Sequence, residues 1–192
     1  MRFFLLNIFL FLAAVHINIT ALGQPIKRFE TQVNTFKLLD AASLSKYTFQ
    51  IDKQRNRLKD NPEDWEDIIF TNRDHTSHIR LIHHPGDAPY EMAGFEIRQG
   101  IPDADETHYA TLPDKVFMTP NGIMIGLKEN EVADIHGKPH DVFQDGDHKV
   151  YRYYEHNPKS WIFRNNKKTG YLIQFWFLDS VLVRYCFGYE YP

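Results

Sequence analysis

Apolar residues recur at intervals of two along this chain, in runs of roughly four to eight positions broken by Pro, Gly, Asn and Asp, a rhythm that predicts short strands joined by turns. Loose alternation over residues 29–38 suits an edge strand that ends at Asp40-Ala41-Ala42-Ser43, and Tyr47-Thr48-Phe49-Gln50-Ile51 reads as a second alternating run. Residues 52–67 are charged, Lys53, Arg55, Arg57 and Lys59 being followed by Glu63, Asp64, Glu66 and Asp67, and a solvated loop or short helix is expected there. Residues 67–71 and 78–82 read as paired strands, because Asn72-Arg73-Asp74-His75-Thr76-Ser77 between them has turn chemistry. Residues 93–98 form another extended piece after the breaker cluster Pro85-Gly86-Asp87-Ala88-Pro89, and residues 100–106 a polar loop.

The period changes after Asn121-Gly122. Residues 128–136 predict a short helix: Glu129 and Glu131 lie in its first turns, Val132 and Ile135 share a face, and Gly137 with Pro139 stops it. Beyond the turn signal Asp145-Gly146-Asp147, residues 150–155, 160–164, 171–178 and 181–187 predict a four-strand antiparallel meander, linked near Asn157-Pro158, over residues 165–170 and at Asp179-Ser180. In its last hairpin a three-residue loop, 178–180, would pair Phe177 with Val181 and Phe175 with Val183. That register puts Tyr171, Ile173, Phe175, Phe177, Val181, Val183, Tyr185 and Phe187 on one face under the helix. A two-residue Asp179-Ser180 turn would mix Arg184 into that face. Gln174, Trp176 and Arg184 then fall on the wetter side. The expected class is α+β, a mostly antiparallel β-sheet with one or two short helices packed on one face.

The N-terminus departs from this rhythm. Arg2 precedes an apolar run from Phe3 to Ala14 that has the length of a signal-peptide core and falls short of the roughly 20 residues of a membrane span. Ala21-Leu22-Gly23 places small residues where a signal peptidase needs them, so cleavage is expected before Gln24, with no Cys nearby for lipid attachment. This divides the chain into a signal peptide over 1–23, a β-rich region over 24–120, and the helix with its meander over 121–192, secreted or periplasmic and without a stable membrane span once cleaved. Cys186 is the only Cys, so the fold needs a core in place of an internal disulfide. With 43% hydrophobic residues in a chain of 192, such a core is available. A net charge of -3 argues against nucleic acid as a partner.

Residues 126–139 read Gly126-Leu127-Lys128-Glu129-Asn130-Glu131-Val132-Ala133-Asp134-Ile135-His136-Gly137-Lys138-Pro139. This resembles the G-M-[ST]-x-x-[EQ]-V-x-x-x-L-G-x-P signature of the SmpA/BamE outer-membrane assembly lipoproteins and their relatives with the β-lactamase-inhibitor-protein-like (BLIP-like) fold. The resemblance covers about residues 123–187 and implies a helix followed by an antiparallel meander that acts by binding protein partners. Lys128 stands where the family has a Ser/Thr cap and a lipobox Cys is missing, so the resemblance speaks for the fold and assigns neither a role in outer-membrane assembly nor catalytic residues.

Candidate chemistry is sparse. His75, His78, His83 and His84 form the tightest imidazole cluster and, on one hairpin, could offer zinc or copper a site, although their spacing matches no established zinc pattern. His136 and His140 are four apart, but Gly137 and Pro139 break the helix that would align them. The Asp-rich stretches 103–106 and 145–147 lack the spacing of a calcium loop. No nucleophile-elbow, phosphate-loop or dinucleotide motif is present, and no cofactor is implied. The remaining signal is aromatic, and Tyr153, Trp161, Trp176 and Arg184 are the expected contacts to a protein or peptide. The leading expectation is an exported, non-enzymatic binding module; the alternative is a small exported metal-binding protein or hydrolase that uses the His75 to His84 region.

Overall fold

The computed structural model describes residues 26–57, 68–88, 90–102 and 109–190; the expected signal peptide and its cleavage site, the charged run from 58 to 67 and the acidic loop 103–106 lie outside the described residues. Among the described residues no helix is long and apolar enough to cross a membrane. The protein is α+β and mostly β. A small hairpin of β1 (Gln32–Val33) and β2 (Phe36–Lys37) precedes α1 (Thr48–Arg57). Then come β3 (Ile68–Thr71), β4 (Ser77–Ile82), β5 (Gly94–Gln99), β6 (Ala110–Thr111), α2 (Glu129–His136), β7 (Asp141–Asp145), β8 (His148–Glu155), β9 (Tyr171–Leu178) and β10 (Val181–Tyr189). Strands β3 to β10 form one eight-stranded sheet in the order β6-β3-β4-β5-β10-β9-β8-β7, antiparallel except for the β3–β6 pair. Strands from before and after residue 120 therefore share one sheet, joined where β10 pairs with β5.

One face of the sheet is core. Ile79, Leu81, Phe95, Ile97, Tyr153, Ile173, Phe175, Phe177, Tyr185 and Phe187 are all buried on it, each alternating with a residue of the opposite face. Full burial of side chains this large contributes about 1.5–3 kcal/mol apiece. Helix α2 lies over this face through Val132, with Tyr151 and Lys149 of β8 both donating to the Glu129 carboxylate at 2.7 and 2.6 Å. Its N-terminus is closed by the Glu131 carboxylate, which accepts the Lys128 N–H at 2.7 Å; its C-terminus ends at Gly137, whose φ of 86° suits a residue without a Cβ.

Four expectations are corrected. Residues 47–51 do not form a strand: Ala41–Tyr47 is a 3-10 helix capped by the Asp40 carboxylate, and it runs into α1. The apparent alternation came from Phe49, which is 76% exposed, whereas Leu44, Tyr47, Ile51 and Gln54 recur at helical spacing toward the core. Residues 29–38 make no continuous edge strand, because the chain turns at Asn34 (φ 48°) between β1 and β2. Residues 160–164 are not a meander strand either. Trp161–Phe163 is a 3-10 turn, and its Ile162 and Phe163 are adjacent and both buried, a pattern no half-buried strand permits. β8 instead pairs directly with β9, and its other neighbour is β7, an edge strand too polar to show apolar alternation.

The fourth correction concerns register. Asp179 (φ 49°) and Ser180 (φ 63°) form a two-residue turn that pairs Leu178 with Val181, the arrangement judged to mix Arg184 into the core face. A β-bulge between Leu182 and Arg184 resolves the conflict. Leu182 pairs with Phe177 and is buried, Val183 is the extra residue, and from Tyr185 onward the odd positions face the core again. Leu182 also bonds through its backbone to Gly126 and Leu127, which pins the bulge to the entry of α2.

Candidate functional site

The 3-10 turn that displaces the expected strand creates the most exposed large aromatic surface beside a cleft. Ile162 and Phe163 enter the core, so Trp161, one position earlier, is turned outward and is 54% exposed. It is exposed without being loose. Its ring stands edge-on to Phe29 at 5.3 Å and 89°, Phe29 stands edge-on to buried Tyr171 at 5.3 Å, and Tyr171 meets Tyr189 at 5.7 Å. This aromatic ladder runs from the surface into the core, each rung in the geometry favoured by ring quadrupoles. Phe29 is itself held through its backbone carbonyl, which accepts from the Asn121 amide at 3.2 Å.

Trp161 divides two hollows. One, of about 580 Å3, is lined by Ile26 to Phe29, Asn121, Glu155, Ser160 and Arg164. The other, of about 270 Å3, is bounded by Leu38, Leu39, Ile162, Asn166 and Tyr189 among others, and Asn166 is fixed there by donating to the Ile162 carbonyl and the Tyr189 hydroxyl. The larger hollow is cationic at its rim. Lys27 reaches the Asp134 carbonyl at 3.0 Å, while Arg28 and Arg164 are exposed and have no carboxylate partner among the described residues. Glu155 is the single carboxylate of that lining, and its Oε1 is engaged by the Asn157 N–H at 2.7 Å. Cations, amides, a hydroxyl and an aromatic wall can grip an anionic, partly apolar ligand.

The other expected contact residues lie elsewhere. Tyr153 is fully buried, its ring against His136 and Phe175 and its hydroxyl donating to the Gly137 carbonyl at 2.9 Å; this corrects its assignment as a contact, since it is core. Trp176 and Arg184 pair with each other on the face of the sheet opposite the core, and neither lines the hollows beside Trp161. Trp176 is 7% exposed, donates from its indole to Asp145 at 2.9 Å, and is roofed by the Arg184 guanidinium 4.1 Å above its ring. On that face Arg98, Arg184 and Arg80 converge on the buried Glu96 carboxylate, Arg98 by two bonds of 2.8 and 3.1 Å, and Arg80 at 3.9 Å. Cys186, opposite Glu96 in the ladder, has its thiol pushed up to about 12 by burial and by that carboxylate, so it offers no thiolate nucleophile.

The histidine cluster is dispersed by the fold. His75 stands in the turn before β4 and His83 and His84 follow its end, so one strand separates them. His78 lies near the start of β4 and His83 and His84 beyond its end, so the strand from His78 to Ile82 alone, about 13 Å at about 3.3 Å per residue, stands between them. The expectation that the hairpin brings them together is therefore corrected. His78 is 4% exposed with Nδ1 2.9 Å from the Gly100 carbonyl, and burial lowers its pKa from the ordinary histidine value. Among the described residues no group of three or more His, Cys, Asp or Glu side chains is placed to hold a metal ion. His140 accepts the Tyr154 N–H at 3.0 Å, and His136 is buried on the opposite side of Gly137, paired with Glu30. Neither Glu30 nor the cleft at Phe29 is visible as a motif; the one trace was an apolar aromatic, Trp161, in a stretch with Asn-Pro and Asn-Asn on either side.

Comparison with family models, curated proteins and solved structures returns no match.

Proposed function

We propose that this protein is an exported, non-enzymatic binding module, and that its contact surface is the Trp161 cleft, which holds an acidic peptide segment of a partner protein. The carrying observation is the state of Trp161: half in solvent, yet fixed by Phe29 and placed between two hollows, with Arg28 and Arg164 at the rim lacking a carboxylate partner among the described residues. A rigid exposed Trp loses little conformational freedom on binding, and Trp and Arg are the residue types that anchor interfaces. Exposed guanidiniums at the rim favour carboxylates and disfavour basic segments. Export rests on the leader-like segment ending at Gly23, and an intact-mass measurement of protein recovered from the envelope, with its N-terminus at Gln24, is the expected result; a chain still starting at Met1 refutes it. The resemblance of residues 123–187 to the SmpA/BamE and BLIP-like proteins agrees with binding in place of catalysis. Dispersal of His75, His78, His83 and His84 weighs against the metal-dependent alternative.

The test is fluorescence anisotropy with a synthetic library of labelled peptides, each carrying one aromatic residue flanked by Asp and Glu or, in a matched set, by Lys. Acidic members should bind, Trp161→Ala should weaken them by about 30-fold or more, the 2 kcal/mol expected of an interface anchor, and Arg164→Glu should reverse the charge preference. Binding that is indifferent to Trp161→Ala and to peptide charge overturns the reading.

A further inference from the structure

Directly behind the wall of the larger hollow lie two titratable side chains with no solvent access. Glu30 follows the wall residues 26–29, and His136 closes α2; both side chains are fully buried. His136 Nδ1 is 3.0 Å from the Arg28 carbonyl, and because a carbonyl only accepts, Nδ1 carries a hydrogen. The other ring nitrogen, Nε2, lies 3.2 Å from Glu30 Oε1 in an oblique approach, within ion-pair range and outside good hydrogen-bond geometry. The same Oε1 accepts from the Asn121 amide at 3.0 Å, and the Tyr171 hydroxyl donates to the Glu30 backbone carbonyl.

The proton count follows from these contacts. With Nδ1 protonated, a neutral imidazole would turn the lone pair of Nε2 toward an ionised carboxylate, in a site sealed from water. A buried carboxylate without a counter-charge is strongly disfavoured, because no solvent dipoles replace its hydration. One further proton removes both problems, whether it sits on Nε2 as imidazolium–carboxylate or on the carboxyl as imidazole–carboxylic acid, since either form is neutral overall. The groups facing the pair from neighbouring elements cannot replace it. They are the Tyr153 and Phe175 rings at 5.5 and 5.1 Å from the imidazole, the phenols of Tyr171 and Tyr185, and the Asn121 amide. Lys27 is spent on the Asp134 carbonyl, and Arg28 is exposed.

We infer that Glu30 and His136 share a single proton that fastens residues 28–30 to the end of α2, so that the wall of the Trp161 cleft is gated by pH. With one proton the pair is neutral and the wall is clipped; with none it holds a bare carboxylate, with two an imidazolium facing a neutral acid, and in both cases the wall loosens. Regulation of binding rests on the cleft being the contact surface, but the proton and the clip do not.

The decisive measurement is amide hydrogen-exchange protection of residues 27–31 in the full chain, without ligand, from about pH 4 to about pH 10, a range that spans free Glu and His titration. In the wild type, protection factors should fall by about tenfold per pH unit on the alkaline side of free histidine titration, where only the clipped state holds the proton, and should level off once the shared proton has left. Glu30→Gln should abolish that alkaline fall, because a Gln amide donates to Nε2 of a neutral imidazole without a titrating proton. Superimposable wild-type and Glu30→Gln curves overturn the inference. Should Glu30→Gln fail to fold, NMR of the wild type decides: two protonated ring nitrogens on His136, or a protonated Glu30 carboxyl, supports the shared proton at neutral pH, and a neutral ring beside an ionised Glu30 overturns it. Peptide binding that tracks the exchange profile extends the gate to function. A cleft that binds no peptide while the exchange profile holds defeats the binding proposal and leaves the clip standing.

Discussion

Replacing Glu96 by Gln removes one charge and almost no volume from the open face of the sheet. The carboxylate is 7% exposed and takes Arg98 bidentately, Arg184 through Nε, and Arg80 at 3.9 Å. Loss of one member of a buried ion pair costs 3–5 kcal/mol where the survivor has no other relief. Here the guanidinium side chains keep 21%, 30% and 35% of their exposure, and Arg80 and Arg98 have further interactions, so water and neighbours absorb part of the penalty. About 1–3 kcal/mol remains. The pH dependence distinguishes this electrostatic origin from a packing defect. Burial pushes the Glu96 carboxyl up, but the Arg98 hydrogen bond and the charges of Arg184, Arg98 and Arg80 together outweigh it, and the folded-state value lies below the ordinary one. A depressed carboxylate contributes stability that is complete above its unfolded value, about 4.3, and is lost as pH falls through the folded value. Urea midpoints of wild type and Glu96→Gln should therefore differ by a constant amount at pH 6 to 8 and converge on acidification, with equal m-values throughout. A gap under about 0.3 kcal/mol at neutral pH, or one that persists in acid, refutes the reasoning.

The remaining predictions concern α2, the β7–β8 turn and the sheet seam. Val132→Asp, which places an unpartnered carboxylate in a fully buried site, should cost several kcal/mol in a thermal melt, and Val132→Ala about 1–3 kcal/mol. Lys128→Thr should stabilise by about 0.5–1 kcal/mol, because Lys128 occupies the N-cap with extended backbone and lacks a side-chain acceptor for the free N–H groups of the first turn. Gly146→Ala should cost about 1–2 kcal/mol by urea denaturation through backbone strain alone, since φ is 59° and a Cβ there meets nothing within 4 Å. Gly188→Ala should do more damage than Gly146→Ala: its Cβ would come 2.5 Å from the Gly94 Cα, so β5 and β10 cannot keep their pairing, and circular dichroism should report lost strand content.

Where local pattern and tertiary environment agree, the sequence was readable. The β3–β4 hairpin was announced by turn residues between two apolar runs, and α2 by its acidic first turn and its Gly and Pro stop. Misreadings arose where one residue imitated the wrong period, as exposed Phe49 did in α1, or where burial was too low to leave a period, as in β7. Register in the last hairpin is not legible from alternation, because a bulge satisfies both the two-residue turn and the core face at the cost of one residue out of line. The cleft was half legible: Trp161 carries an interface residue type, but its partner Phe29 is more than a hundred positions away. Glu30 and His136 have the same problem, since pairing across such a separation leaves no mark in local spacing.

The position of β10 has a consequence for biogenesis. Among the described strands it is the sole connection between β6-β3-β4-β5 and β9-β8-β7, and it joins Arg98 to Arg184, 86 residues further along the chain. A nascent chain that has synthesised β5 carries an incomplete half-sheet with an open edge, and it cannot close that edge until the segment up to Tyr189 has also appeared. Contacts of such long sequence separation form slowly, after their loop entropy has been met. The molecule thus defers cooperative closure of the sheet until β10 is available, and until then β5 presents an unpaired edge that another strand could occupy.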